Sequence, residues 1–320
     1  MTKPLVTIGL TTFNTVNTVE RVLNSALEQT WRPLEVVAVD DCSSDGTREL
    51  LQQLVLKHSE LRVFGNAINS GVAVSRNRIL AEARGEFVAF FDDDDQSLEE
   101  RIAVQFERIV NYESQFSGGA PVICHATRRL RYPDGHERVE RTMGQNKDRR
   151  APAGLAVAHR ILMGKPLKDG NGACPTCSQM ARLSTYNLLG GFDPIFRRGE
   201  DTDFNIRLAL AGGHFVGIDN PLVIQKMTKT SDKSLQAEYH YMRRLLEKHK
   251  CILQKEGQFK FCCDWLSLKQ CWLERKKTIF AKKLLWLSLT RPILTARRIS
   301  MALPNIGVNR AFRRFHAGGK

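Results

Sequence analysis

Four times in the first hundred residues a short apolar run gives way to a stretch with helical spacing, and this alternation limits the fold more than any other feature. Residues 5–10 are apolar and β-branched, and residues 16–28 then set Val19, Val22, Leu23, Ala26 and Leu27 on one side of a helix. A second run, 34–39, is followed by Leu50, Leu51, Leu54 and Val55 at helical spacing. The third run, 61–64, precedes a helix over about 73–83 that Gly85 ends, and the fourth occupies 87–91. Strands alternating with helices predict an α/β fold, a mostly parallel central sheet with helices on both faces. Ligands of such sheets bind at the C-terminal ends of the strands.

Three of those strand ends deliver polar residues, at Thr12, Asp41 and Asp92. The last is the most abrupt, because Phe87-Val88-Ala89-Phe90-Phe91 runs straight into Asp92-Asp93-Asp94-Asp95. Four adjacent carboxylates repel one another, and a hard divalent cation would relieve the repulsion while using their oxygens as ligands. One or two aspartates would be accounted for as caps of the helix expected from residue 98, but four exceed that need. A second acidic group, Glu200-Asp201, opens a stretch carrying Phe204, Ile206, Leu208 and Leu210, where the helix dipole favours ionised carboxylates. Taken alone, that pair reads more readily as ordinary helix-start acids. No G-x-G-x-x-G follows the first strand and no G-x-x-x-x-G-K-[ST] occurs, which argues against a Rossmann dehydrogenase and a P-loop enzyme.

The net charge of +14 is unevenly spread. Residues 260–320 hold 14 Lys or Arg against Asp264 and Glu274, a balance of +12, and leave +2 for the other 259 residues. Within 265–298, Trp265, Trp272, Ile279, Phe280, Leu284, Leu285 and Trp286 interleave with lysines and arginines. Such a helical, basic, tryptophan-bearing stretch suits an anionic membrane surface; the plainer reading is that its apolar faces pack on the protein and its cations face water. Breaks are expected near Gly257, Pro292 and Pro304. No nucleic-acid module accompanies the charge, so nucleic acid is not an expected partner. Residues 1–14 read as a first strand rather than a leader, no run approaches the ~20 apolar residues of a membrane span, and cytoplasmic residence is the expectation. The eight cysteines are then expected to be reduced, the C-x-x-C of Cys174 and Cys177 included. Residues 133–153, polar and weakly periodic, read as a long loop of the kind that forms lids or binding elements.

Five motifs, in this order, resemble the family 2 glycosyltransferases with the GT-A fold: TTFN after the first strand, VDDCSSDGT after the second, NSGVAVSRN, FFDDDD after the fourth, and GGFDPIFRRGEDTDFNIRLALAGG. The likeness covers about residues 4–225. It implies a catalytic domain over 1–230, divided into a nucleotide-sugar half (1–100) and an acceptor half (101–230), with a basic helical region over 231–320. It further implies that Thr12, Phe13 and Asn14 line the first nucleotide loop, that Asp41, with Asp40 beside it, reads the base, and that Arg76 faces the nucleotide. Asp92-Asp93-Asp94 matches the D-x-D motif, which places Asp92 near the ribose and Asp94 on a metal, Mn²⁺ or Mg²⁺, with Asp92 contributing. Asp201, next to Glu200, takes the place of the general base. The implied activity is inverting transfer from a nucleotide sugar, a UDP-sugar above all, to a saccharide or lipid-linked glycan of the cell envelope. Three departures stand out: Asn17 where an acid is usual, Cys42 where glycine is usual, and no histidine in residues 224–234 to complete a metal site. The competing classes are a sugar-nucleotide nucleotidyltransferase, whose Gly-rich basic loop after the first strand is missing, and a non-catalytic glycan- or polyanion-binding protein that kept the fold.

Overall fold

The computed structural model describes residues 3–227 and 234–303. Its first half alternates as the apolar pattern predicts: β1 (Val6–Thr12), α1 (Val19–Leu27), β2 (Leu34–Asp40), α2 (Thr47–Val55), β3 (Leu61–Gly65), α3 (Val72–Glu82) and β4 (Phe87–Asp92). All seven residues of β1 and of β2 are buried, as are the first five of β4, because helices cover both faces of these strands. The four strands pair in parallel in the order β3-β2-β1-β4. Thr11 lies beside Asp92 and Thr12 beside Asp40, so the register itself gathers the polar strand ends at one edge.

The sheet then turns mixed. After β5 (Gln96–Ser97) and α4 (Arg101–Tyr112) come β6 (Val122–Arg131), β7 (Glu137–Glu140), α5 (Gly154–Met163), β8 (Gln179–Arg182), α6 (Leu183–Leu188), α7 (Glu200–Leu210) and β9 (His214–Lys226). Antiparallel β8 joins β4 to β6, and β9 runs parallel to β6, giving a sheet of nine strands among the described residues. Strand β9 pairs with β6 with a register shift around Thr127, opposite Pro221; proline has no N–H to continue the ladder. The expected loop 133–153 contains β7, which pairs with the basic end of β6 and sets Glu137 and Glu140 against Arg128, Arg129 and Arg131.

Two compact units emerge, residues 1–155 with 168–227 and residues 156–167 with 228–320. Over its described residues the second is helical, with α8 (Leu235–Lys248), α9 (Lys250–Lys255), α10 (Phe259–Leu273), α11 (Lys277–Thr290) and α12 (Pro292–Ala302). Its small core is Phe261, Leu268 and Leu287, against which Trp265, Phe280, Leu284 and Leu294 pack. Part of the interleaved tail therefore faces inward. Gly257 at positive φ and Pro292 at the start of α12 mark two of the expected breaks, while Pro304 and residues 228–233 lie outside the described residues.

Candidate active site

The loops after β1 and β2 hold each other. Asn14, in the left-handed region, donates its N–H to Ser43 Oγ (2.9 Å) and accepts from the Ser44 N–H (2.9 Å). Asp40 is fully buried and accepts from Thr12 Oγ1, the Ser43 N–H and Ser43 Oγ. Its neighbour Asp41 accepts from Asn66 Nδ2 (2.7 Å), the Ser70 N–H (3.0 Å) and the Gly71 N–H (2.7 Å), closing the loop that leads into α3. Both aspartates thus order the loops at this edge, and the Phe13 ring stands exposed beside them. Cys42 has φ of +64°, the conformation that makes glycine usual at such a position.

Beyond β4 the four carboxylates occupy different surroundings. The Phe13 N–H donates to Asp93 Oδ2 (3.0 Å), yet burial and the charges of Asp94 and Asp92 push the Asp93 carboxyl up to about 7. Arg21 donates to the backbone oxygen of Asp94. Asp95 is buried, and among the described residues no N–H or O–H group donates to either of its carboxylate oxygens, the Cys177 thiol being the polar side chain set against it. Burial first, then the charges of Asp92 and Asp94, raise its pKa well above the ordinary value. An oxygen of Asp92, an oxygen of Asp95 and Cys177 Sγ all lie within 4.8 Å of one another. Within that group the buried Asp95 carboxylate and the Asp92 carboxylate are donors that fit a hard divalent cation, whereas the Cys177 thiol is a soft donor that such an ion does not need. The run of four aspartates signalled this chemistry, but nothing in the sequence ranked Asp95 above its neighbours or brought Cys177, eighty residues later, to the same place.

Arg76 connects the two acidic motifs. From α3, buried and lying over the rings of Phe90 and Phe192, it donates Nη1 to Glu200 Oε1 (2.6 Å) and Nη2 to Asp92 Oδ1 (3.0 Å). Those two carboxylates hold its pKa above the ordinary arginine value despite burial. Burial and the adjacent Asp201 charge push Glu200 up to about 7, with Arg76 pulling the other way. Asp201 is partly exposed; its Oδ1 accepts from the Thr202 N–H (2.6 Å) and Oγ1 (3.1 Å), and among the described residues Oδ2 makes no hydrogen bond. The pair opening α7 therefore divides into a buried carboxyl tied to arginine and a carboxylate with a free oxygen.

Two further contacts brace the same motifs. Asn77 Nδ2 donates to Phe192 O (2.7 Å) while the Phe192 N–H donates to Asn77 Oδ1 (2.8 Å), and Arg197 donates to both Asn69 Oδ1 and Asn69 O. The NSGVAVSRN segment is thus the mount for the loop that carries Glu200 and Asp201. The structure brings together Thr12, Phe13, Asn14, Asp40 and Asp41 in one loop pair, and Arg76, Asp92 and Glu200 in one ionic bridge. Beneath β4, fully buried Arg101 donates to Phe90 O, Ser97 Oγ and Gln105 Oε1, which fixes the strand end from below.

Comparison with known proteins agrees with this architecture. Over 96 to 143 residues the chain is 35% identical to TuaG of Bacillus subtilis strain 168, named for teichuronic acid biosynthesis, and 32% identical to a cholesterol galactosyltransferase of Borreliella burgdorferi. A UDP-Glc:alpha-D-GlcNAc-diphosphoundecaprenol beta-1,3-glucosyltransferase of Escherichia coli, WfgD, is 31% identical over 115 residues. These alignments cover 41%, 30% and 36% of this chain, and 57%, 26% and 45% of the respective relatives, so the chain matches about half or less of their lengths. Among solved structures, S. aureus TarS residues 1–349 in complex with UDP superposes with a TM-score of 0.55 at 19% identity, covering 98% of this chain and 90% of that one. The same protein with UDP-GlcNAc gives 0.56 at 18% identity, with the same coverage. The expected GT-A-type architecture is therefore the observed one. The family model for glycosyl transferase family 2 matches residues 7–169, just over half of the chain, and the chain belongs to that family.

Proposed function

We propose that this protein is an inverting, metal-dependent glycosyltransferase that moves a sugar from a nucleotide donor, a UDP-sugar, to a hydroxyl of a saccharide or lipid-linked acceptor during synthesis of a cell-envelope glycan. The observation that carries the reading is the Arg76 bridge, which holds the carboxylate at the D-x-D strand end and the carboxyl beside Asp201 on one guanidinium. In this reading the bridge sets donor and acceptor chemistry next to each other. The names and titles of the relatives point the same way, with UDP and UDP-GlcNAc in the TarS complexes and a diphosphoundecaprenol-linked acceptor for WfgD.

In this reading Phe13 offers its exposed ring to the base, and the loop ordered by Asp40 and Asp41 borders the nucleotide. Asp92 and Asp94 would hold Mn²⁺ or Mg²⁺, with Asp95 beside them; when bound, the cation offsets the charge that develops on the departing diphosphate. Asp201 Oδ2 accepts the proton of the acceptor hydroxyl as that oxygen attacks the anomeric carbon from the face opposite the leaving group. Glu200, anchored by Arg76, fixes the start of α7 and so the direction in which Asp201 points. The basic helical region would keep the enzyme at the cytoplasmic membrane, where lipid-linked acceptors reside. Asp201→Asn tests the assignment: transfer should be lost while UDP-sugar binding with Mn²⁺, read by calorimetry, is retained. Full activity in that variant would remove Asp201 as the base.

A further inference from the structure

Helix α11 is apolar on two opposite sides. Phe280, Leu284 and Leu287 turn inward onto Phe261 and Leu268, which satisfies one side. Leu285 and Leu289, four residues apart, stand together on another, where Leu289 is 74% exposed and Trp286 adjoins them, also exposed. Ile293, in the first turn of α12, is equally open at 74%. Helices that are apolar all round are ordinarily buried, so this outer side lacks a partner among the described residues. Its edge is cationic: Lys282 lies one turn before Leu285 and Trp286, and Arg291 and Arg297 follow, all three exposed and without an ion pair among the described residues.

Charge decides what covers this face. Residues 277–303 hold six cations (Lys277, Lys282, Lys283, Arg291, Arg297 and Arg298) and no Asp or Glu. A second copy of the chain meeting the same patch about a two-fold axis would set this segment against its own like charge. An anionic lipid surface complements it: leucine, isoleucine and tryptophan enter the interfacial zone while lysine and arginine meet headgroup phosphates. No described helix is long and apolar enough to cross a membrane, so the contact is peripheral. We infer that the outer side of α11 with the first turn of α12, built on Leu285, Trp286, Leu289 and Ile293 and edged by Lys282 and Arg297, is a docking surface for an anionic bilayer. This rests on the membrane-surface part of the proposed function and narrows it to the outward residues, since Trp265, Phe280 and Leu284 are taken up by the helical core.

The test is co-sedimentation of the full chain with phosphatidylcholine vesicles, with and without phosphatidylglycerol. Calorimetric UDP binding with Mn²⁺ is measured on the same preparations. Binding should require phosphatidylglycerol and weaken as salt rises. It should fall about fivefold for each of Lys282→Gln and Arg297→Gln, and be lost in Leu285→Asp/Leu289→Asp, with UDP binding unchanged in every case. Equal binding to neutral vesicles, no binding at all, or wild-type binding by the double aspartate variant would overturn the inference. So would a sedimentation equilibrium showing a dimer that Leu289→Asp dissociates, which would give the face to a second copy. Loss of UDP binding by the wild-type protein would count against the transferase reading instead, so the two failures are told apart.

Discussion

Replacing Arg76 by methionine should expose how the two acidic motifs are held. The guanidinium is buried and makes short bonds to Glu200 and Asp92, and methionine keeps most of its apolar bulk over Phe90 and Phe192. Removing one partner of a buried ion pair typically costs about 3–5 kcal/mol, and because Asp92 is 29% exposed the lower end, about 3 kcal/mol, is expected at pH 8. The pH dependence carries the diagnosis. Glu200 titrates near 7 in the folded protein against an ordinary 4.5, so its carboxyl is least unfavourable to folding below about 4.5. Stability then falls as pH climbs from 4.5 towards 7, where the unfolded chain releases the proton that the native state retains. Without Arg76 the Glu200 pKa rises further, and the fall continues beyond pH 7. At pH 5 Glu200 is neutral in both proteins, and the deficit of the variant should shrink to roughly 1–2 kcal/mol, the cost of leaving Asp92 without its partner. Urea denaturation followed by circular dichroism from pH 5 to 8 measures this, and adding Glu200→Gln should recover most of the loss at pH 8. A deficit that is constant across that range, or no recovery in the double variant, would refute the argument.

Three other outcomes are expected. Asp94→Ala should abolish the Mn²⁺-dependent part of UDP-sugar binding in calorimetry while far-UV circular dichroism shows the fold retained. Asp95→Asn should raise the melting temperature at pH 8 but not at pH 4. The raised Asp95 pKa means that stability is lost as pH rises through it, and the amide does not ionise. Gly144→Ala should destabilise the fold by at least about 3 kcal/mol in thermal melts, since an added Cβ would meet Phe215 O at 1.8 Å and Gly144 has φ of +78°.

The parallel half of the sheet was legible because its signal is local. Residues 34–40 and 87–92 are apolar runs that stop at acids, and burial on both faces leaves no polar alternation to confuse the reading. Strand β6 escaped notice because Arg128, Arg129 and Arg131 mask its second half, and only the pairing with β7 shows what satisfies them. In the site, the aspartate run drew attention to residues 92–95, and the likeness to the family's motifs singled out Asp92, Asp94 and Asp201. The sequence was silent on partnership: that Arg76 turns to Glu200 across 124 positions, or that Asp40 and Asp41 are spent on loop hydrogen bonds, depends on tertiary closeness. Cys174 and Cys177 are thiols, one half-buried and one buried, whose pKa values burial raises, and only the fold brings Cys177 to Asp92 and Asp95.

The single guanidinium between Asp92 and Glu200 also has a kinetic meaning. Under the proposed roles, whatever engages Asp92 from the donor side alters how strongly Arg76 holds Glu200, and hence how α7 presents Asp201 to an acceptor. A coupling of this kind is reciprocal, so acceptor binding must change donor affinity by the same factor. The two substrates should therefore not bind independently, and double-reciprocal plots at varied acceptor concentration should intersect off the horizontal axis, with the crossing moving onto it when Arg76 is replaced.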